Sequence, residues 1–321
     1  MLLPRYSLSN APHLSPMYDI AAESRATNGR LWLQCLAVGV LSLVAFVPSL
    51  RGGFVFDDLP LIVDNDYVHS LNHVARALRT SFWDISSSKF DPRIVFTYYR
   101  PLVTISYQLD WFLFHGHPWG FHFTNCLLHC IASVLALRAI HRWSANSRAA
   151  LVGALVFALH PTRTENVVWV SGRTDVIALV FTLLLLELSV AIARARTASA
   201  TTGWAVLWGL SILGGFLSKE SFVLIFFLVL ADAVASLERE GRSVGTWRLA
   251  SLGVLSAILS GAYLGLRYWL MPIRGFEASS ANWGLSSRIG YFFLTIGYYC
   301  ERIVWPWEQT FFYRPVAFNG D

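Results

Sequence analysis

The fold is decided by residues 151–181, which read LVGALVFALHPTRTENVVWVSGRTDVIALVF. An apolar run ends at a His-Pro pair, a polar island follows over residues 160–175, and a second apolar run continues to residue 193. Crossing a bilayer takes roughly 20 mostly apolar residues. Charges bounded in this way by apolar runs are typical of a loop at a membrane surface. The stretch therefore predicts a polytopic membrane protein.

The composition of the whole chain agrees with this prediction. Of its 321 residues, 55% are hydrophobic and 14% are charged, against about 25% charged residues in ordinary soluble domains. This balance excludes a disordered chain, a nucleic-acid-binding tail protein and an ordinary soluble enzyme. The formal net charge is +5, but the arginines are scattered rather than clustered, so nucleic acid is not an expected partner.

Eight apolar segments predict an all-α polytopic membrane protein of about eight transmembrane helices. They are residues 31–50, 121–140, 149–159, 176–193, 204–217, 222–237, 250–270 and 289–304. Residues 102–114 are too short to span and are expected to lie along the interface. The predicted organisation is a tail at 1–30, a membrane module at 31–310 with a large first loop at 51–100, and a tail at 311–321.

Arginine placement predicts the orientation. Short loops on the cytoplasmic side carry an excess of Lys and Arg. The tail and the loops at 138–148, 194–202 and 238–248 hold most of the loop arginines and fall on one side of an eight-span bundle. We therefore expect a cytoplasmic N-terminus in an integral, multi-pass protein of the bacterial inner membrane or the endoplasmic reticulum.

The other side receives the loops whose residues suggest chemistry. Asp57 and Asp58 follow the first predicted span by only seven residues. Adjacent carboxylates near a bilayer are costly unless they are solvated, paired or metal-bound. Either residue can serve as a general base toward a hydroxyl, and a solvated turn is the equally weighted alternative.

Three cationic motifs share that predicted side. Arg100 suits a phosphate because its planar fork grips oxygens bidentately, although a snorkelling anchor is the alternative. The ion pair Lys219-Glu220 sits between two apolar runs, where charge is rare without function. Lys219 suits a lipid phosphate as a point charge, and a mutually neutralising turn is the alternative. In the polar island, His160, Arg163, Glu165, Arg173 and Asp175 either pair internally or form the rim of an anion site.

One polar helix face is assigned to packing. His122, Asn125 and His129 are spaced to share one side of a helix. No carboxylate accompanies them, so a stripe that packs against neighbouring helices is favoured over a metal site.

Four motifs in order resemble a known family. They are FVFDDLPLIVDN, the stretch from Tyr98 to His129, residues 151–181, and LSKES. Together they are similar to the transmembrane, tetratricopeptide-repeat-containing O-mannosyltransferases and their bacterial relatives, which have the GT-C glycosyltransferase fold. The resemblance covers roughly residues 31–310. The chain shows no tetratricopeptide repeat and is therefore expected to be a fragment, a shortened relative or an inactive copy.

The resemblance implies a glycosyltransferase that moves mannose or a similar hexose from a polyprenyl-phosphate donor to a hydroxyl of a protein or glycan on the extracytoplasmic face. It implies catalysis by Asp57 or Asp58. It also implies a lining of the donor phosphate and sugar region by a further set, namely Arg100, His160, Glu165, Arg173, Asp175, Lys219 and Glu220. No cofactor is implied, and a requirement for a divalent metal stays open. A transporter of lipid-linked sugars and a non-catalytic membrane assembly protein are the competing classes.

Overall fold

The computed structural model describes residues 16–86, 98–224, 246–270 and 284–306, together with 227–228, 231–232 and 235. Its described residues form helices, turns and loops without strands. The predicted tail at 311–321 and most of the predicted span at 222–237 lie outside the described residues. The helices are α1 Pro16–Phe46, α2 Val74–Ala77, α3 Pro101–Phe114, α4 Pro118–Ser144, α5 Ser147–Leu159, α6 Arg163–Val168, α7 Arg173–Arg194, α8 Ala198–Phe216, α9 Thr246–Leu270 and α10 Leu285–Val304.

The predicted helical membrane protein is confirmed. Three segments are long and apolar enough to cross a bilayer, Gly29–Arg51, Pro118–Ser144 and Val170–Arg194. The runs predicted at 149–159, 204–217, 250–270 and 289–304 all fall on helices, and residues 102–114 form α3. The number of eight spans stays a prediction.

The first helix begins earlier than the sequence indicates. Residues 1–30 were expected to form a loose tail because they are polar, yet α1 starts at Pro16 and runs without a break into the apolar run. The change from polar to apolar residues therefore marks where α1 enters the predicted span. It does not mark where the helix starts.

The turn between α4 and α5 shows how local sequence builds the bundle. Ala145 follows the last residue of α4 and adopts the left-handed conformation, with φ of 49°. Asn146 then caps α5 by accepting hydrogen bonds from the backbone amides of Arg148 and Ala149 at 2.9 and 3.1 Å. Such caps satisfy amides that have no partner within the helix. The chain reverses within two residues, and α5 packs back along α4.

Small residues allow the close approach of these helices. Ala150, Ala154 and Ala158 recur every fourth residue on α5 and are fully buried with Leu137 of α4 and Val38 of α1. In a membrane, small residues at a helix interface let backbones approach and gain van der Waals contact.

The alternation of the chain brings the motif-bearing segments to one end. The end of α1, the starts of α4 and α7, and the ends of α5 and α8 meet there. A hydrogen bond of 3.0 Å from the Leu102 amide to the Leu217 carbonyl joins α3 to the end of α8. Part of the first loop closes this end, where Leu61, Ile62 and Phe82 share an apolar cluster with Val103 of α3 and Phe121 of α4.

Candidate active site

Asp58 is held in place by a turn that follows α1. The turn bends sharply at Phe56, whose φ of 50° is uncommon for a bulky residue. The Asp58 side chain is fully buried. Its Oδ1 accepts from the Ser171 amide at 2.8 Å and from the Ser171 hydroxyl, and its Oδ2 accepts from the Val55 amide at 3.1 Å. These three donors give Asp58 a fixed position that links the first loop to the start of α7.

Asp57 differs from its neighbour in every one of these respects. It is half-buried, and its carboxylate makes no hydrogen bond or ion pair with the part of the chain that the structure describes. Burial raises the pKa of Asp57, and repulsion from the Asp58 carboxylate raises it further. Burial also raises the pKa of Asp58, against the opposing effect of its hydrogen bonds. Among the described residues, Asp57 is therefore the carboxylate of the pair whose oxygens accept no hydrogen bond and can take up a proton.

A tight turn between α6 and α7 delivers Ser171. The turn is a single 3-10 turn, Val170–Gly172. A Cβ at Gly172 would lie 2.7 Å from the Glu165 carbonyl oxygen and 2.9 Å from the Asn166 Cα. Because real Cβ atoms do not approach backbone so closely, the turn requires glycine here. Asn125 of α4 fixes the same turn by donating its amide to the carbonyls of Val167, Trp169 and Val170, at 3.2 to 3.3 Å.

Arg173 lies inside the bundle rather than on its rim. The side chain is fully buried, and its Nη2 forms an ion pair with Asp110 of α3 at 2.5 Å. Its Nε donates to Asn125 at 2.6 Å, Nη1 donates to the Ser106 hydroxyl at 3.1 Å, and Nη2 donates to the Phe121 carbonyl at 2.9 Å. The family resemblance implies that Arg173 lines the donor phosphate and sugar region. In the structure all three nitrogens are occupied, because α3 supplies the buried counter-charge Asp110.

Tyr107 connects this buried network with the aspartates. Its fully buried phenol is close enough to Asp58, Arg173 and Arg100 for each charge to influence its ionisation. Burial is the larger effect and raises the pKa of Tyr107, so the phenol is protonated at neutral pH. The Arg173 guanidinium lies over the Tyr107 ring, 5.0 Å from its centroid, so Tyr107 belongs to the buried surroundings of Arg173.

Arg100 and Glu220 form a second ion pair at this end. Two nitrogens of the Arg100 guanidinium, Nε and Nη2, donate hydrogen bonds to Glu220 Oε2, at 3.2 and 3.1 Å. The Tyr99 amide donates to the other carboxylate oxygen at 3.0 Å. The Arg100 guanidinium lies over the ring of Tyr98, 4.5 Å from its centroid. The pair keeps some solvent exposure, with side chains 17% and 20% accessible, so Arg100 is reachable where Arg173 is not.

The remaining charged residues form a half-buried cluster. Lys219 forms an ion pair with Asp175, one turn along α7 from Ser171. Burial raises the pKa of Glu165, and the nearby Asp175 carboxylate raises it further. Burial lowers the pKa of Arg163, whose guanidinium lies 5.3 Å from the ring centroid of Phe157. The acids and bases of the polar island thus find ion-pair partners outside it, since Arg173 pairs with Asp110 and Asp175 pairs with Lys219.

His160 sits at the margin of this cluster. Its Nδ1 is 2.9 Å from the Thr162 hydroxyl, and its Nε2 is 3.0 Å from the Ile303 carbonyl at the end of α10. Both ring nitrogens therefore have partners within the protein, and the ring joins α5 to α10.

The polar face of α4 packs against its neighbours, as predicted. His129 contacts the Ala158 carbonyl at 2.9 Å, and Asn125 holds the turn before α7. His122 is buried beside Gly52, near the backbone of Gly53 and Val168, without a hydrogen bond of normal geometry. Within the described ranges, His, Cys, Asp and Glu side chains do not gather into a group that could hold a metal ion.

Three residues of the site had no assigned role in the sequence. Ser171 is an ordinary serine until the fold brings it to Asp58, 113 positions away. Asp110 and Tyr107 lie one turn apart on an apolar helix, and that pattern is the signal that marks them. A buried charge on α3 required a partner, which is Arg173.

Comparisons with known proteins agree with the resemblance. The chain is 32% identical to the protein O-mannosyl-transferase Tmtc2 of Drosophila melanogaster over 237 residues, which are 72% of this chain and 25% of that protein. It is 36% identical to mouse TMTC4 over 163 residues, 46% of this chain and 22% of the relative. It is 27% identical to Drosophila Tmtc1 over 298 residues, 87% of this chain and 32% of the relative.

The chain thus spans about a quarter to a third of the length of the curated relatives it matches over most of its own sequence. No family model matches it, and no solved structure matches it. Several relatives of this one family nevertheless match the chain at 27–36% identity. The chain belongs to the TMTC family of protein O-mannosyl-transferases.

Proposed function

We propose that this chain is the membrane-embedded catalytic module of a glycosyltransferase. It moves mannose or a similar hexose from a polyprenyl-phosphate donor to a hydroxyl of a protein or glycan acceptor on the extracytoplasmic face. The relatives are named protein O-mannosyl-transferases, which supports sugar transfer to protein. The observation that carries the proposal is the contrast between two carboxylates. Asp57 is half-buried and has no partner among the described residues, whereas three donors fix Asp58 beside it.

Asp57 is the general base in this proposal. It takes the proton of the acceptor hydroxyl while the acceptor oxygen forms a bond to the anomeric carbon. The bond from that carbon to the donor phosphate breaks in the same step, and one displacement inverts the anomeric centre. Partial burial suits this role because it raises the pKa of Asp57 and makes the carboxylate a stronger base.

The leaving polyprenyl phosphate gains negative charge as the bond breaks. Cations placed where that charge develops stabilise the transition state. Arg100, Lys219 and Arg163 are cationic residues of the site that keep some accessibility. Glu220 pairs with Arg100, and Asp175 pairs with Lys219. In this proposal Arg173 is a positioning residue, because it fixes the turn that carries Ser171.

Transfer of labelled mannose in liposomes tests the proposal. The chain is reconstituted with polyprenyl-phosphate mannose and an acceptor peptide rich in Ser and Thr, and both mannosylated peptide and donor movement across the bilayer are measured. We expect donor-dependent peptide product. Movement of the donor without product identifies a transporter, and neither product nor movement identifies an assembly protein. Both of these results contradict the proposal.

A further inference from the structure

A buried histidine lies near the two segments that the hydrogen bonds between Asp58 and Ser171 join. His122 lies near the start of α4, and its side chain is only 2% exposed. Within the described residues, neither of its ring nitrogens has a hydrogen bond of normal geometry. Buried polar groups are costly when they have no partner, so the place of this ring in the fold calls for an explanation.

The His122 ring borders both segments of the candidate active site. The first segment follows α1 and leads to Asp58. A Cβ built on Gly52 in this segment would lie 3.1 Å from His122 Nε2, and the backbone of Gly53 is also near the ring. The second segment is the end of α6, where the backbone of Val168 is near the ring. His122 is thus placed to hold the two segments together.

A neighbouring side chain shows how α4 holds the second segment. Asn125, one turn further along α4, donates its side-chain amide to three backbone carbonyls, those of Val167, Trp169 and Val170. Val168 is the remaining residue of this run, and its backbone lies near His122. An imidazole N–H donates to backbone carbonyls as a side-chain amide does. His122 therefore extends to Val168 the kind of contact that Asn125 makes with the residues around it.

The first segment depends more strongly on contacts from outside. Two consecutive glycines, Gly52 and Gly53, connect the end of α1 to the turn that carries Asp57 and Asp58. Glycine loses more conformational freedom on folding than any other residue, so this connection does not set the direction of the loop by itself. The ring of His122 packs against Gly52 and limits that freedom.

We propose that His122 is a positioning residue for sugar transfer, which fixes the segment after α1 against the segment before α7. The inference rests on the proposed function of Asp57 as the base. His122 contacts neither substrate in this account. Its single N–H in the neutral ring bonds with the backbone of Gly53 or Val168. That contact keeps Asp58 in register with Ser171 and thereby sets the position of Asp57.

Hydrogen exchange of the purified full chain tests the positioning without any transfer reaction. The backbone amides of Val55 and Ser171 both donate to Asp58, at 3.1 and 2.8 Å. Their exchange is measured by mass spectrometry in the parent and in His122→Phe, which keeps a ring and removes both nitrogens. Both amides should exchange about fivefold faster in the variant, the ratio that corresponds to the loss of one hydrogen bond of roughly 1 kcal/mol.

The same variant should separate kcat from KM in mannose transfer. A misplaced reacting group costs rate, so kcat should fall about 10- to 100-fold in His122→Phe. KM for the donor should stay at the parent value, because the cations proposed to meet the donor phosphate lie on other segments. His122→Gln carries an amide nitrogen that can reach the Nε2 position, and it should recover part of kcat.

Two matched pairs of variants control for a general loss of stability. His129→Phe makes the same replacement on the same face of α4, where His129 contacts the Ala158 carbonyl at 2.9 Å. It should leave kcat and the exchange of Val55 and Ser171 unchanged. Gly52→Ala brings a Cβ to 2.9 Å from the Ser49 carbonyl oxygen and 3.1 Å from His122 Nε2, so it should reproduce the effects of His122→Phe. The Cβ of Gly53→Ala meets nothing within 4 Å, and this variant should behave as the parent does.

Parent-like exchange at Val55 and Ser171 in both His122→Phe and Gly52→Ala overturns the proposal. So does a kcat that stays at the parent value in these two variants. If the parent itself transfers no mannose, the proposed function fails, and the exchange rates still decide whether His122 holds the two segments together.

Discussion

Two adjacent aspartates with the same sequence signal have different surroundings. Asp58 is enclosed by the donors of Val55 and Ser171, whereas Asp57 has no partner among the described residues. From the sequence, a general base and a solvated turn were equally weighted for this pair, and the family resemblance implied catalysis by one of the two. In the fold the two carboxylates have different surroundings. The difference depends on a contact between residues 113 positions apart, which no local pattern encodes.

The pH dependence of transfer reports on Asp57. A general base works when deprotonated, so kcat/KM should rise with pH through the pKa of Asp57, above the ordinary aspartate value of about 3.9. Asp58→Asn removes the repulsion that adds to this pKa, so the acidic limb should move to lower pH. The exposed Asp64→Asn is the control and should leave the limb in place. An acidic limb that stays fixed or moves upward in Asp58→Asn contradicts the assignment.

Arg173 and Asp110 make a prediction about stability. Removal of one partner from a buried ion pair leaves an uncompensated charge and costs about 3–5 kcal/mol. Arg173→Met should lower the free energy of unfolding in detergent by that amount, and Arg173→Met with Asp110→Leu should recover most of it. The control is the partly exposed pair of Arg76 with Asp84, where Arg76→Met should cost no more than about 1 kcal/mol. Similar losses in Arg173→Met and Arg76→Met would show that the buried pair does not act as described.

At the scale of elements, the turn between α6 and α7 connects the fold to the site. It positions Ser171 for Asp58 and starts the helix that carries Arg173 and Asp175. Gly172→Ala places a Cβ against the backbone of Glu165 and Asn166, and the turn must shift. Such overpacking costs about 1–3 kcal/mol, and transfer should fall because Asp58 loses its alignment.

Gly203→Ala is the matched control for this change. A Cβ at Gly203 meets nothing within 4 Å, and the position lies on α8, where alanine is favoured over glycine. This variant should be as stable as the parent or more stable, with normal transfer. If Gly172→Ala behaves like Gly203→Ala in unfolding and transfer assays, the turn does not position the site.

Sequence predicted the helices better than their contacts. The long apolar runs of α4 and α7 could be recognised in the sequence because their length and apolar character do not depend on contacts with other helices. The start of α1 at Pro16 was missed because polar residues form helix as readily as apolar ones when no breaker intervenes. The pairing of Arg173 with Asp110 could not be foreseen because Asp110 comes from α3, 63 positions earlier in the chain.

At the scale of the whole molecule, the alternation of helices places the candidate active site at one end of the bundle. The predicted orientation can be tested by cysteine labelling with a membrane-impermeant reagent in sealed vesicles. In a background with the exposed Cys300 replaced, Asp66→Cys should label from the extracytoplasmic side and Arg196→Cys only after the membrane is permeabilised. Labelling of both from one side contradicts the alternation of the bundle.

The central claim is that Asp57 is the base of sugar transfer while Asp58 positions the loop. The most direct measurement is the single-turnover rate of mannose transfer for Asp57→Asn, Asp58→Asn and Asp64→Asn, each shown to be folded. We predict a loss of roughly 10²- to 10⁴-fold for Asp57→Asn, a smaller loss for Asp58→Asn, and the parent rate for Asp64→Asn. An Asp57→Asn variant that transfers mannose at the parent rate would contradict the account.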